Sequence, residues 1–136
     1  MYWLTGLEAN GAGKLFTFEP HRDWAAIARE NLRSIGTRFE LIEGTFEEKV
    51  GSILGDGPSI DIAFIDAIHT SEFVLPQFEQ VVQRLKPGGL VLFDDIDFSD
   101  DMADCWRGLA HDDRVLSSVA VAGHVGIVEI KKHGNT

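Results

Sequence analysis

Within the stretch Leu85-Lys86-Pro87-Gly88-Gly89-Leu90-Val91-Leu92-Phe93-Asp94-Asp95, a turn is followed by an apolar run and two acids. The Lys-Pro-Gly-Gly turn stops a helix whose apolar stripe runs from Val74 to Leu85. Leu90 to Phe93 contains no polar residue, which indicates a strand covered on both faces. A helix that leads straight into a buried strand is typical of an α/β fold with a parallel sheet.

The rest of the chain repeats this alternation of short apolar runs and helix-period stretches. Pro76 lies near the start of the helix before Leu85, so the regular helix is expected to begin there or to kink there. Ser99 is the expected cap of a later helix. We predict one domain over residues 1–136, with a mainly parallel sheet and a C-terminal antiparallel hairpin. The predicted strands are 15–19, 39–42, 60–65, 90–93, 115–121 and 125–130, and the predicted helices cover 24–35, 46–54, 74–85 and the region after 99.

The composition excludes several classes of function. The 136 residues include 22 acidic and 12 basic side chains, a formal net charge of −10, which disfavours binding to nucleic acid or to an anionic membrane. No apolar run is long enough for a transmembrane helix, and no signal peptide is visible. The single cysteine, Cys105, excludes an intrachain disulfide, and the expected compartment is the cytoplasm. Cys105, Trp24 and Trp106 are predicted to pack in the core.

Three of the predicted strands end in acidic residues: Glu19, Asp66 and the pair Asp94-Asp95. The carboxyl ends of parallel strands meet at one edge of a sheet, where ligands bind, so these acids are expected to line one pocket. A single acid after a strand is commonly no more than a solvated turn residue. Several crowded carboxylates favour a site for a hard cation such as Mg²⁺ or Ca²⁺, which would offset their repulsion.

The sequence resembles the class I S-adenosylmethionine-dependent methyltransferases, and most closely the branch of small-molecule O-methyltransferases. The likeness runs from about residue 7 to residue 130. It depends on the strand-ending acids and on the Lys-Pro-Gly-Gly turn taken together. The segments that carry it are 16–20, 25–32, 43–45, 64–69 and 85–95.

The resemblance implies a role for individual residues. Glu19 matches the acid that hydrogen-bonds both ribose hydroxyls, and a carboxylate can accept both bonds. Asp66, Asp94 and Asp95 match the positions where metal-dependent members hold Mg²⁺. His69 lies where catechol-type enzymes place a lysine near the substrate hydroxyl, so His69 and Asp66 are the predicted catalytic residues. The predicted cofactor contacts are Glu19, Pro20, Gly44, Thr45, Phe46 and Asp66.

The activity implied is transfer of a methyl group to a hydroxyl oxygen of a small molecule, with a cation lowering the pKa of that hydroxyl. The first strand of the family and its Gly-x-Gly-x-Gly loop are missing, and residues 2–10 resemble the end of the family's first helix. Gly11 and Gly13 are turn glycines that precede a strand. We therefore expect two sheet edges without partners. A longer protein, a second copy, or direct pairing of the flanking strands would each close the gap. On its own, the chain is expected to bind S-adenosylmethionine poorly.

Two rival functions remain open at this point. The same acidic edge could serve a metal-dependent hydroxylase or hydrolase, because a fold does not fix a reaction. The chain could also be a non-catalytic methyltransferase-like module that packs against a partner through its sheet edges. Labelled S-adenosylmethionine separates the first alternative from methyl transfer, and the absence of any bound cation favours the second.

Overall fold

The computed structural model describes residues 1–131, and this range contains five α-helices and six β-strands. The predicted α/β fold is confirmed, and a helix precedes the first strand at Tyr2–Asn10, as the resemblance implies. The helices are α1 (Tyr2–Asn10), α2 (Arg22–Arg33), α3 (Phe46–Leu54), α4 (Ser71–Arg84) and α5 (Asp100–Ala110). The strands are β1 (Leu15–Glu19), β2 (Phe39–Glu43), β3 (Ile60–Ile65), β4 (Leu85–Phe93), β5 (Val115–Val121) and β6 (Val125–Ile130).

The described chain divides into two compact units, the first of which is Met1–Ile53. Its sheet consists of β1 and β2, which pair in parallel from Leu15 opposite Phe39 to Glu19 opposite Glu43. Ala25 and Leu32 supply the buried face of α2. Trp24 is 63% exposed, so the prediction that it packs in the core is wrong. Its ring lies instead against the ring of His21, with 4.9 Å between their centroids.

The loop between α2 and β2 is fixed by the carboxylate of Glu8 on α1. Glu8 Oε1 accepts hydrogen bonds from the backbone N–H groups of Thr37 and Arg38, at 2.6 and 2.8 Å. These bonds, the one from Arg38 first, lower the pKa of Glu8. Gly36 makes the approach possible, because a Cβ there would lie 2.1 Å from Glu8 Oε1.

The second unit begins at Leu54 and contains a four-stranded sheet in the order β3-β4-β6-β5. β3 and β4 are parallel, whereas β6 runs antiparallel to both β4 and β5. The predicted C-terminal hairpin is therefore confirmed, with β6 inserted between β4 and β5. The core includes Phe78 of α4, Phe93 of β4, Met102 of α5 and Val128 of β6.

Two predicted boundaries around α4 are wrong. The helix begins at Ser71, three residues before the predicted start at Val74, and Pro76 lies inside it. β4 begins at Leu85, since residues 86–89 form an irregularity within the strand. In the register, Ile60 lies opposite Leu85 and Ile62 opposite Leu90, so the extra residues bulge from β4.

Each sheet has a strand that pairs on one side only. Within residues 1–131, β1 pairs with β2 alone and β3 pairs with β4 alone. Ile62 and Phe64 of β3 are 49% and 42% exposed. The apolar run 60–65 predicts a strand covered on both faces, and the exposure of Ile62 and Phe64 shows that this prediction is wrong. Among the described residues, no helix is both long and apolar enough to span a membrane.

Candidate functional site

The acids that follow β3 and β4 are brought together by the register of the two strands. Ile65 lies opposite Phe93, so the next residues, Asp66 and Asp94, are neighbours. The backbone N–H of Asp94 donates to the carbonyl of Ile65 at 3.1 Å, which extends the ladder to the site. The strand-end prediction for Asp66 and Asp94 thus corresponds to a real juxtaposition in the second unit.

The crowding of these acids changes the protonation of Asp66. Its pKa is raised, first because the carboxyl is partly buried and then because the charge of Asp94 lies beside it. The charge of Asp95 adds to this effect, whereas His69 opposes it. Asp66 and Asp94 also share a side-chain hydrogen bond, which favours the protonated form of Asp66.

His69 lies between two of the carboxylates. Its Nε2 is 3.6 Å from Asp95 Oδ2 and 4.0 Å from Asp66 Oδ1. Asp95 adopts a left-handed backbone conformation with φ 49°, which aspartate tolerates better than most residues. The ring of Phe98 stacks on the imidazole of His69, with 5.4 Å between centroids. His69 is thus surrounded by two acids and an aromatic ring.

The loop that carries His69 is held by α5. The carboxylate of Asp101 accepts hydrogen bonds from the backbone N–H and the hydroxyl of Ser71, both at 2.7 Å. These bonds lower the pKa of Asp101, the bond from the Ser71 backbone first. Because Ser71 begins α4 two residues after His69, this contact limits the movement of the histidine.

The other predicted site residues belong to the first unit. Glu19 and Gly44 lie at the carboxyl ends of β1 and β2, joined by a 3.1 Å hydrogen bond from Gly44 N–H to the Glu19 carbonyl. Glu19 Oε1 accepts from the backbone N–H of His21 at 2.8 Å. The hydroxyl of Thr45 accepts from the N–H of Glu48 at 3.3 Å and so caps α3.

Phe46 and Pro20 complete this second group. The Phe46 ring packs edge-on against Phe18 of β1, with centroids 5.2 Å apart. Pro20 is exposed immediately after Glu19. Glu19 fits a ribose, since its contact with His21 leaves further lone pairs that can accept two hydroxyl protons.

The donor set of the second unit bears on the predicted cation. Among residues 1–131, no group of three or more His, Cys, Asp or Glu side chains is arranged to hold a metal ion. Mg²⁺ commonly keeps several waters and takes only one or two carboxylates from the protein. The oxygen atoms of Asp66 and Asp94 meet that requirement, and a cation there would offset the repulsion that raises the pKa of Asp66.

Sequence reasoning missed several residues that shape this region. Phe98 was not singled out, although an aromatic residue in an otherwise acidic loop is a detectable signal. His124 carries no pattern in the sequence, yet its Nδ1 lies 2.8 Å from Asp97 Oδ2. The hydrogen bond between them raises the pKa of His124 and lowers that of Asp97. Contacts of this kind join residues far apart in the chain, so periodicity cannot reveal them.

Comparison with known proteins identifies the family. Residues 1–96 match the family described as the methyltransferase domain. The chain belongs to this family, and the resemblance seen in the sequence is confirmed. No curated protein sequence matches the chain.

Solved structures share the fold. Cofactor-bound Rv0187 from MTB superposes with a TM-score of 0.73 at 18% identity, over 89% of this chain and 63% of its own. The O-methyltransferase from Bacillus cereus, in complex with SAH, superposes with a TM-score of 0.67 at 20% identity, over 88% of this chain and 63% of its own. TomG from Streptomyces achromogenes, an O-methyltransferase in complex with SAM, superposes with a TM-score of 0.66 at 17% identity, over 88% of this chain and 62% of its own. The chain thus spans somewhat less than two thirds of these structures.

Proposed function

We propose that this chain takes part in S-adenosylmethionine-dependent methyl transfer to a hydroxyl oxygen of a small molecule. The observation that carries the proposal is His69, whose Nε2 faces Asp95 and Asp66 at the carboxyl ends of two parallel strands. Membership of the methyltransferase-domain family and the likeness to O-methyltransferases of known structure support it.

Glu19 is the proposed anchor of the cofactor. Its carboxylate would accept the ribose hydroxyls, while Gly44, Thr45 and Phe46 at the end of β2 would contact the adenine. Gly44 has φ 137°, a conformation that favours glycine, so this backbone position suits a close ligand contact. When bound, S-adenosylmethionine supplies the methyl group as part of a sulfonium.

His69 is the proposed proton acceptor. Its Nε2 would take the proton from the substrate hydroxyl as the oxygen–methyl bond forms and the methyl–sulfur bond breaks. The carboxylates of Asp95 and Asp66 would stabilise the imidazolium that results, because both lie within 4.0 Å of Nε2. The ring of Phe98 contacts the imidazole at a tilt of 41°, with 5.4 Å between centroids, and so favours this orientation of the ring.

We also propose that Asp66 and Asp94 can hold Mg²⁺, with Asp95 close by. The ion would lower the pKa of a hydroxyl that touches it, which serves the same end as proton removal by His69. Two carboxylates and several waters are a usual Mg²⁺ environment. A cation at this position would also explain why the fold tolerates like charges side by side.

The test is product analysis with S-adenosylmethionine labelled in its methyl group. The purified chain is incubated with millimolar cofactor and a panel of catechols and phenols, with Mg²⁺ or with EDTA. We expect label in an ether product, and we expect His69→Asn to lower the rate by about 10²-fold or more. His111→Asn is the matched control, since His111 caps α5 and is bonded to the carbonyl of Arg107.

The outcomes separate the candidate functions. Label in product that persists in EDTA would remove the magnesium proposal and leave the methyl transfer intact. Chemistry on the acceptor without transfer of label would favour a hydroxylase or hydrolase. No turnover with any acceptor, in a chain that binds the cofactor, would favour a non-catalytic module.

For partners we propose the small-molecule acceptor and a second copy of this chain, without nucleic acid or membrane. The one-sided pairing of β3 and the 49% exposure of Ile62 favour pairing of sheet edges. Analytical ultracentrifugation of the wild type and of Ile62→Lys tests this, and a monomeric wild type would exclude it.

We place the protein in the cytoplasm, where a lone free cysteine such as Cys105 is usual.

A further inference from the structure

The tip of the β5–β6 hairpin is bound to the loop that follows β4. The backbone N–H of Ile96 donates to the carbonyl of His124 at 2.9 Å. The Nδ1 atom of His124 lies 2.9 Å from Asp97 Oδ1 and 2.8 Å from Oδ2. Ile96 itself is buried, with 4% of its surface exposed. The loop is therefore fastened at two successive residues to one residue of the hairpin.

The hairpin turn presents His124 in a defined way. Ala122 and Gly123 both have positive φ, 53° and 79°, and the N–H of His124 donates to the carbonyl of Val121 at 3.1 Å. Two successive residues with positive φ are the mark of the tight turns that suit the twist of a hairpin. The strands on either side pair without interruption from Ser117 opposite Glu129 to Val121 opposite Val125, so the turn is supported by a continuous ladder.

The fastened loop supplies two of the groups around His69. Asp95 precedes Ile96 and faces His69 Nε2 at 3.6 Å. Phe98 follows Asp97 and stacks on the His69 ring. The N–H of Phe98 donates to the carbonyl of Asp95 at 3.0 Å, so the two residues move together as one turn. Any displacement of residues 96 and 97 is therefore passed to both neighbours of His69.

We propose that His124 is a positioning residue, which sets the orientation of His69 by holding residues 94–98 through its contacts with Ile96 and Asp97. The hydrogen bonds of His124 reach the site through this loop, at Ile96 and Asp97, and its charge also interacts with the charges of Asp95 and Asp94. Its importance for turnover rests on the proposed function, whereas its effect on the geometry does not.

The test compares His124→Ala with His124→Asn in the full chain. Asparagine keeps an N–H donor near the position of Nδ1, whereas alanine removes it. Two quantities are measured without substrate: hydrogen exchange of the Ile96 and Phe98 amides, and the NMR shift of the His69 ring protons. For His124→Ala we expect exchange about two- to fivefold faster, the range for losing one exposed charged pair, and a changed His69 shift because Phe98 moves.

The controls separate positioning from a general loss of stability. His124→Asn should show the wild-type His69 shift and most of the wild-type protection of the Ile96 and Phe98 amides from exchange. His111→Ala should leave both quantities unchanged. A His124→Ala variant with wild-type exchange at Ile96 and a wild-type His69 shift would overturn the proposal. So would an equal effect of His124→Asn and His124→Ala. Absence of methyl transfer in the wild type would contradict the proposed function and leave this measurement valid.

Discussion

Replacing Asp66 by asparagine is expected to stabilise the second unit, although Asp66 is a proposed functional residue. Two unit charges about 4 Å apart repel by about 1 kcal/mol in water. After burial, the charge of Asp94 is the main cause of the raised pKa of Asp66, and we take about 4 Å as an order-of-magnitude separation of the pair. Because the Asp66 side chain is 48% exposed, we discount the effect to a gain of about 0.5 kcal/mol in the free energy of unfolding. This corresponds to a rise in Tm of about 1–3 °C.

The sign of the pH dependence follows from the raised pKa of Asp66. The folded state binds the proton of Asp66 more tightly than the unfolded state, whose value is the ordinary 3.8. Stability is therefore lost as the pH rises through the interval between 3.8 and the raised value. The advantage of Asp66→Asn should be complete at pH 8 and absent below that interval.

The assay is thermal and urea unfolding in EDTA at pH 8 and pH 3. Asp61→Asn is the matched control, because Asp61 lies on the same strand but accepts a hydrogen bond from Lys86 Nζ at 2.8 Å. Asp61→Asn should give no gain in Tm or in the free energy of unfolding. A lower Tm for Asp66→Asn at pH 8, or an equal gain from Asp61→Asn, would refute the reasoning. If Asp66 also holds Mg²⁺, adding the ion should raise the Tm of the wild type and not that of the variant.

Four further outcomes are expected. Gly126→Ala should lower the free energy of unfolding by about 1–3 kcal/mol in urea titrations, because a Cβ would lie 2.4 Å from the Trp106 ring. Gly108→Ala in α5, where nothing lies within 4 Å, should raise it by up to about 1 kcal/mol; equal effects of the two substitutions would contradict this account. Asp112→Asn should cost about 1 kcal/mol at pH 7, because hydrogen bonds from Arg114 lower the pKa of Asp112 to about 2. The stability that the Asp112 carboxylate contributes is complete above pH 3.8, the pKa of an ordinary aspartate, and is lost as the pH falls toward 2. The free energies of unfolding of wild type and variant should therefore converge near pH 2. Calorimetric titration with S-adenosylmethionine should show no micromolar binding by the chain alone, and a micromolar Kd would disprove this.

Strand ends were the most predictable part of the site. Asp66 and Asp94 each follow an apolar run directly, and parallel pairing with a fixed two-residue period places such residues side by side. The helix cap at Ser99 is equally predictable, and the Ser99 hydroxyl accepts a hydrogen bond from the N–H of Met102 at 3.2 Å. Both features depend on residues near one another in the chain or on one strand register.

Burial was harder to predict than secondary structure. Trp24 has the spacing of a core residue on α2, yet it is exposed, because helical period shows which residues share a face and not what covers that face. The same applies to Ile62 of β3. An apolar run predicts a strand correctly but cannot tell an edge strand from a central one, since that depends on the order of strands in the sheet.

The surroundings of His69 show why a functional site can be predicted only in part from a sequence. His69 follows β3, but its orientation depends on Asp101 through Ser71, on Phe98 through stacking, and on Asp95 through charge. These contacts come from segments 26 to 32 residues further along the chain, and the spacing of apolar residues does not reveal them. Strand register supplies the carboxylates, whereas loop contacts supply the geometry that a proton transfer requires. A substitution far from His69 in sequence can therefore alter the site while every strand-end acid remains in place.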